Sequence, residues 1–402
     1  MIIAPTRRLQ TPEFIALLAM LMATVAFSID AMLPALPDIA TALTPDAPDR
    51  AQLIVTSFVL GMGLGTFFSG PLSDRFGRRA VMLGGAALYI VGTLIAWRAQ
   101  SLGVMLAGRV VMGLGAAGPR VAVVALVRDL YSGAQMARIM SFVFMIFALF
   151  PAVAPAVGYG IIAIWDWRGI FLVFVGFSLV ASLWFLLRQP ETLPPEHRRP
   201  LSARRIFGAV AEVLSHRTVV LSILVQTCIM GMLFVTVSTI QPVFDRSYGR
   251  AEDFHLWFFA MALIASSGSF LNSRIVVRLG MRPIIRAALL VSTGLTLVMI
   301  AALLLPLGPV AEFAVYYLWV QVLFLQLGLT MGNLNALAME PLGHVAGLAA
   351  SVITALSTVG AAIIAAPIGL TFDGTPLPLA IGILVLSLAA YLLTRGIQRP
   401  GE

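Results

Sequence analysis

The chain has 402 residues, of which 60% are hydrophobic and 11% charged, and its mean hydropathy is +0.98. That composition cannot cover the surface of a water-soluble domain and places the chain in a bilayer. The net charge of +8 comes from basic residues that are all arginine; the single cysteine, Cys228, excludes an intrachain disulfide and a cysteine-based metal cluster, and the four histidines show no metal-ligand spacing.

A bilayer-spanning helix needs roughly 20 apolar residues, because lipid offers backbone polar groups no partners. Twelve such helices are predicted, approximately at 14–36, 51–71, 80–97, 104–127, 139–164, 169–187, 218–241, 254–277, 284–305, 312–334, 345–369 and 377–394. The first follows a positive start, but at about 23 residues it exceeds a signal-peptide core and is read as a span. Placing the N-terminus in the cytoplasm puts most arginines inside, in clusters such as Arg75, Arg78, Arg79 and Arg198, Arg199, Arg204, Arg205. Only Arg50, Arg98, Arg168, Arg246 and Arg250 then fall outside, and the even number of spans returns the C-terminus to the cytoplasm.

Between the sixth and seventh spans, "RQPETLPPEHRRPLSARR" (188–205) is rich in proline and arginine and reads as a cytoplasmic linker. The expected organisation is a six-helix bundle over 1–187, a linker over 188–217 and a second bundle over 218–402. The halves align at an offset of about 203 residues, with "RFGRR" (75–79) answering "RLGMR" (278–282). Internal duplication of this kind marks secondary transporters whose substrate site lies near the midplane.

The stretch "GPLSDRFGRR" (70–79) sets four charges between long apolar runs. Gly70 and Pro71 are expected to end the second helix in a tight turn, Gly77 to supply a permissive backbone, and Asp74 to cap a helix N-terminus or pair with arginine. Asp129, beside Arg128 at the end of the fourth span, is a further candidate for this charge cluster.

"GPLSDRFGRRAVML" resembles the signature loop of the major facilitator superfamily at Gly70, Asp74, Arg75, Gly77, Arg78 and Arg79. "SIDAMLPALPDI" (28–39), "GRVVMGLGAAGPRVAVVALVRDLY" (108–131), "FPAVAPAVGYG" (150–160) and "ETLPPEHRRPLS" (191–202) resemble the Bcr/CflA-type drug exporters. The resemblance implies an all-α major facilitator fold of twelve membrane helices in two pseudo-symmetric six-helix bundles. It further implies proton-coupled antiport, a monomer in the bacterial inner membrane, and an aspartate at position 74 that contacts a neighbouring helix end in one conformation only. Such a contact biases the inward-open to outward-open equilibrium. Pro155 and Gly158 match the antiporter pattern of the fifth helix, whereas Met32 and Arg120 depart from the family's usual residues.

Three ionisable residues lie within spans: Asp30, Arg109 and Arg120. Asp30 and Arg109 should share a depth near the outer side, and in the family fold their helices line the central cavity, so the two are expected to meet there as a pair. Asp30 is the expected proton and cation site, with substrate and proton competing for it; the plainer alternative makes it a hydrated interface residue braced by Arg109. Arg120 follows Arg109 by three helical turns on about the same face, some 16 Å deeper. It either anchors an anionic or carbonyl-bearing substrate or pairs internally. Gly113 and Ala116 are expected to leave that face open, and Pro119 to loosen it.

In the second half Gln226, Thr227, Tyr317, Gln321, Gln326 and Asn333 are polar at membrane depth, able either to bind a ligand or to bond neighbouring helices. Phe144, Phe147, Met112, Met145, Met230 and Met232 form an adaptable apolar wall or ordinary packing. The expected partners are therefore a small-molecule substrate, protons and membrane lipid, with no nucleic acid. No nucleotide-binding glycine loop is present, so a proton gradient rather than a cofactor is expected to supply the energy. Export of drugs or amphipathic compounds leads; export of an endogenous metabolite and a transporter-like sensor are the rivals. The absence of a nucleophile and base pair argues against an enzyme.

Overall fold

Apolar runs of this length, unbroken by charge, form helices throughout. The computed structural model describes residues 9–147, 149–198 and 200–397, and every regular element among them is helical. The α-helices are α1 (Thr11–Asp30), α2 (Leu36–Leu43), α3 (Leu53–Phe76), α4 (Arg78–Trp97), α5 (Leu102–Leu130), α6 (Gly133–Phe147), α7 (Leu149–Ile164) and α8 (Arg168–Arg188). They continue as α9 (Ala203–Ser215), α10 (Arg217–Pro242), α11 (Phe254–Leu279), α12 (Met281–Leu304), α13 (Pro309–Met339), α14 (Ala346–Leu370) and α15 (Leu377–Arg395). Twelve stretches among the described residues are long and apolar enough to cross a membrane.

Two local expectations are corrected. Gly70 and Pro71 do not end the second span: α3 runs through Pro71 to Phe76, since one proline removes a single backbone donor, and the turn falls at Gly77, whose φ is 96°. The first span is not one continuous helix. Its α-helical part stops at Asp30, a 3-10 turn follows over Leu33–Ala35, and α2 resumes at Leu36, because Pro34 and Pro37 bring no amide hydrogen to the ladder. The linker carries α9.

The chain divides into two compact units, one holding residues 9–46 and 57–207 of the described chain and the other 47–56 and 208–397. The linker up to residue 207 thus groups with the first half, and the start of the second span with the second. The first unit's core joins Phe14, Leu17, Leu18 and Leu21 of α1 to Val123, Leu126 and Val127 of α5 and Phe185 of α8. Helices α3 and α4 lie so close to α5 that a methyl at Gly113 would strike the Phe58 carbonyl and one at Gly115 the Tyr89 amide. Gly113 and Ala116 are therefore packed against neighbours and do not leave their face open.

In the second unit α10 packs on α13, α14 and α15, and α13 on α11 and α12. The proposed repeat is visible in the backbone: Gly77 and Gly280 occupy equivalent turns with φ of 96° and 81°. Both values lie where a β-carbon is strained, which explains glycine at both.

Candidate functional site

Asp30 is the last residue of α1, immediately before the proline-induced break, and is only 7% exposed. Its carboxylate makes no hydrogen bond or ion pair among the described residues. Gly158 of α7 seats against the break: a β-carbon there would fall on the carbonyl oxygen of Ala31. Pro155, also buried, lies one turn earlier on the same helix. Gly158→Ala is expected to destabilise the protein by about 1–3 kcal/mol, because the obstruction is backbone and cannot rotate away. Thermal unfolding in detergent measures this, and an unchanged midpoint would show that the contact is not needed.

Arg109 of α5 is completely buried. Its Nη2 donates to the Ser28 carbonyl at 3.0 Å, its Nη1 approaches Met112 Sδ at 3.8 Å, and its guanidinium lies 4.5 Å from the Phe58 ring centroid. The Ser28 hydroxyl donates to the Thr24 carbonyl at 2.6 Å and meets Tyr89 Oη at 2.6 Å. Asp30 and Arg109 thus stand at one depth without pairing, since the guanidinium is turned to the carbonyl two residues before the carboxylate. Tyr89, a network member the sequence reading missed, has no charge to single it out. Met112 serves as a partner of Arg109. Arg120 is half-buried, with Nη1 3.6 Å from Met62 Sδ of α3.

The turn between α3 and α4 gathers the second cluster. Arg78 is almost wholly buried and donates from Nη1 to Asp74 Oδ1 at 2.6 Å and Ser73 Oγ at 3.0 Å, and from Nε to Asp129 Oδ2 at 2.9 Å. Asp74 and Asp129 are therefore held by one arginine. Arg75 is exposed, while Arg79 donates from Nη2 to the Leu186 carbonyl at 2.7 Å.

Glu191 completes this turn and was missed as a site residue, although it opens the quoted linker motif. Its carboxylate accepts from the backbone amides of Arg78 and Arg79, at 3.0 Å each, and from those of Thr192 and Leu193. A negative group thus satisfies the free donors at the start of α4. Thr192 Oγ1 also donates to Asp129 Oδ2 at 2.9 Å, tying the linker to the same cluster. A β-carbon at Gly77 would lie 2.5 Å from Glu191 Oε2, so a side chain there would displace the docked carboxylate as well as strain the φ. Glu191→Ala is expected to cost about 1–2 kcal/mol and to increase tryptic cleavage of the linker at Arg198. Wild-type cleavage kinetics would count against the docking.

A sequence model of the Major Facilitator Superfamily matches residues 16–365. The chain belongs to that superfamily. It is 32% identical over 345 residues, 85% of its own length and 84% of the relative's, to a bicyclomycin resistance protein homolog of Haemophilus influenzae. It is 30% identical over 207 residues, half of its length and 52% of the relative's, to multidrug resistance protein D of Escherichia coli. The fold matches the partially occluded inward-open xylose transporter XylE from E. coli with a TM-score of 0.73 at 13% identity, over 95% of this chain and 96% of that one. The human organic anion transporter MFSD10 (TETRAN) matches at 0.67 and 18%, over 97% and 100%. These two likenesses concern architecture alone. The chain is a multi-pass membrane transporter of this superfamily, with bacterial relatives named for drug resistance.

In the second unit of this superfamily member, four of the polar residues singled out in the sequence bond from helix to helix. Tyr317 Oη donates to the Trp257 carbonyl at 3.4 Å and Gln321 Nε2 to the Met261 carbonyl at 3.2 Å, one turn apart along both α13 and α11. Asn333 bonds Asn272, and Gln326 bonds Ser292 of α12. Each of these bonds joins neighbouring helices. Gln226 is buried in α10 and its Nε2 has no partner among the described residues, as is true of Gln321 Oε1. The apolar wall is divided, with Phe144 and Met145 exposed and Met112 and Met232 buried. At the second copy of the turn, Arg282 lies 3.9 Å from Glu340.

Proposed function

We propose that this transporter is a proton-coupled antiporter exporting drugs or small amphipathic compounds by alternating access. The observation that carries the reading is the Asp30 carboxylate, enclosed at a helix break and without an internal partner. A carboxylate at membrane depth satisfies its charge with a proton or with a cationic group on a ligand, and one excludes the other. That exclusion is the thermodynamic requirement for exchange. Arg109, bound to Ser28, holds the helix end in place beside it. The turn built on Asp74, Arg78, Asp129 and Glu191 biases the conformational equilibrium, its bonds being made in one state and released in the other. The resistance proteins among the relatives support the substrate class.

The arginine-rich ends of the spans, read with the usual inside bias, put both termini and the α3–α4 turn in the cytoplasm of a bacterium whose inner membrane holds the protein. The working unit is a monomer, drawing energy from the proton gradient without a cofactor. The test is pH change in energised inverted vesicles on adding a panel of amphipathic drugs and common metabolites. A compound that dissipates the gradient with wild-type protein but not with Asp30→Asn supports the proposal and identifies the substrate class. Dissipation by metabolites alone would replace the drug reading with export of an endogenous compound, and equal dissipation by both proteins would remove Asp30 from the coupling path.

A further inference from the structure

Helix α9 has a wider apolar arc than its own burial uses. Ala209 and Val213, one turn apart, are buried, while Phe207 and Leu214 on the adjoining edge are 70% and 50% exposed. Seven residues return to within about 20° of the same direction, so Phe207 and Leu214 form one ridge. Leu201, just before the helix, is exposed as well. The remaining arc carries Arg204, Glu212 and Ser215, and the helix is bracketed by the exposed Arg204 and Arg217. Between residues 198 and 217 the sequence has five arginines against one acid, Glu212.

The position of this ridge is constrained. Ser215 ends α9 and Arg217 begins α10, a membrane-spanning helix, so the end of α9 is tied to the level where the bilayer starts. A helix of 13 residues is about 20 Å long and has no reach away from that level along its last turns. An apolar edge flanked by arginines at this height matches the boundary between acyl chains and negatively charged headgroups.

We propose that α9 is a membrane-surface helix that seats the Phe207 and Leu214 edge in an anionic phospholipid leaflet, with Arg204 and Arg217 on the lipid phosphates. Phe207 supplies the apolar insertion and the arginines the preference for negative lipid. The proposal rests on the membrane spans alone and stands apart from the transport cycle.

The test uses the full-length protein with Cys228→Ala, so that a single engineered cysteine carries an environment-sensitive fluorophore. Labels are placed by Phe207→Cys, by Leu214→Cys as a second ridge position, and by Ser215→Cys as a control on the polar arc. Each protein is reconstituted into nanodiscs of phosphatidylcholine alone or with phosphatidylglycerol. The expected result is blue-shifted emission at 207 and 214, quenched by spin-labelled lipid and shielded from iodide, stronger with phosphatidylglycerol, and water-like emission at 215. Arg204→Gln with Arg217→Gln should lower the phosphatidylglycerol preference by about tenfold or more. Water-like emission at both ridge positions in both discs would overturn the proposal. Equal burial in both lipids would overturn its anionic part. Shielding reproduced by inorganic phosphate in neutral discs would assign the site to the free ion, and shielding that appears only as protein concentration rises in detergent would assign the ridge to a second copy of the chain; either result overturns the proposal.

Discussion

Asp30→Asn is expected to abolish proton-coupled efflux while leaving the protein folded and abundant. The two side chains have nearly the same shape, so packing at the break is kept. No internal bond of the carboxylate is lost, because it makes none among the described residues. Replacing a buried charge that lacks a partner by a neutral amide is neutral or favourable for stability. Function and folding should therefore separate: the thermal unfolding midpoint stays level or rises, while substrate-induced pH change falls to that of vesicles lacking the protein. Asp30→Glu restores the acid and should recover part of the activity. A variant with asparagine at 30 that still dissipates the gradient would place the coupling proton elsewhere.

The second large effect concerns Arg78. Arg78→Gln removes the bonds to Asp74, Ser73 and Asp129 together and leaves two carboxylates facing a neutral amide. The cost of breaking a buried ion pair is about 3–5 kcal/mol. The Asp74 side chain is 42% exposed and that of Asp129 15%, so water recovers part of it and about 2–3 kcal/mol is expected. A double-mutant cycle with Asp129→Asn isolates the pair, and its coupling should lie near 1–2 kcal/mol. Additive losses would mean that Arg78 acts through the turn backbone rather than through Asp129. Because Glu191 grips the amide of Arg78 itself, Glu191→Ala should couple to Arg78→Gln more strongly than to a substitution in the second unit.

Much of this protein follows from local properties of its chain. A run of about 20 apolar residues is a membrane helix whatever surrounds it, since lipid leaves the backbone no other partner. The spans were therefore legible, as was the need for a permissive backbone at Gly77, although the turn itself was expected earlier, at Gly70 and Pro71. Asp30 and Arg109 stood out because charge is rare at membrane depth, and their shared level followed from helical rise.

What the tertiary structure decided was direction and partnership. Equal depth did not make Asp30 and Arg109 a pair, for a guanidinium on a long side chain chooses among every acceptor within reach, and Ser28 offered a carbonyl. Tyr317 and Gln321 had two equally good uses on paper, and it is the packing of α11 that offers them the carbonyls of Trp257 and Met261. Glu191 gained its role from a helix start more than a hundred residues earlier, a proximity no local pattern encodes. Gly158 was marked by its place in the antiporter pattern, but its seat against the Ala31 carbonyl is decided by packing alone. Helical periodicity fixes where a side chain leaves its own helix; only the packed neighbours, competing for each donor and each available volume, determine what it meets.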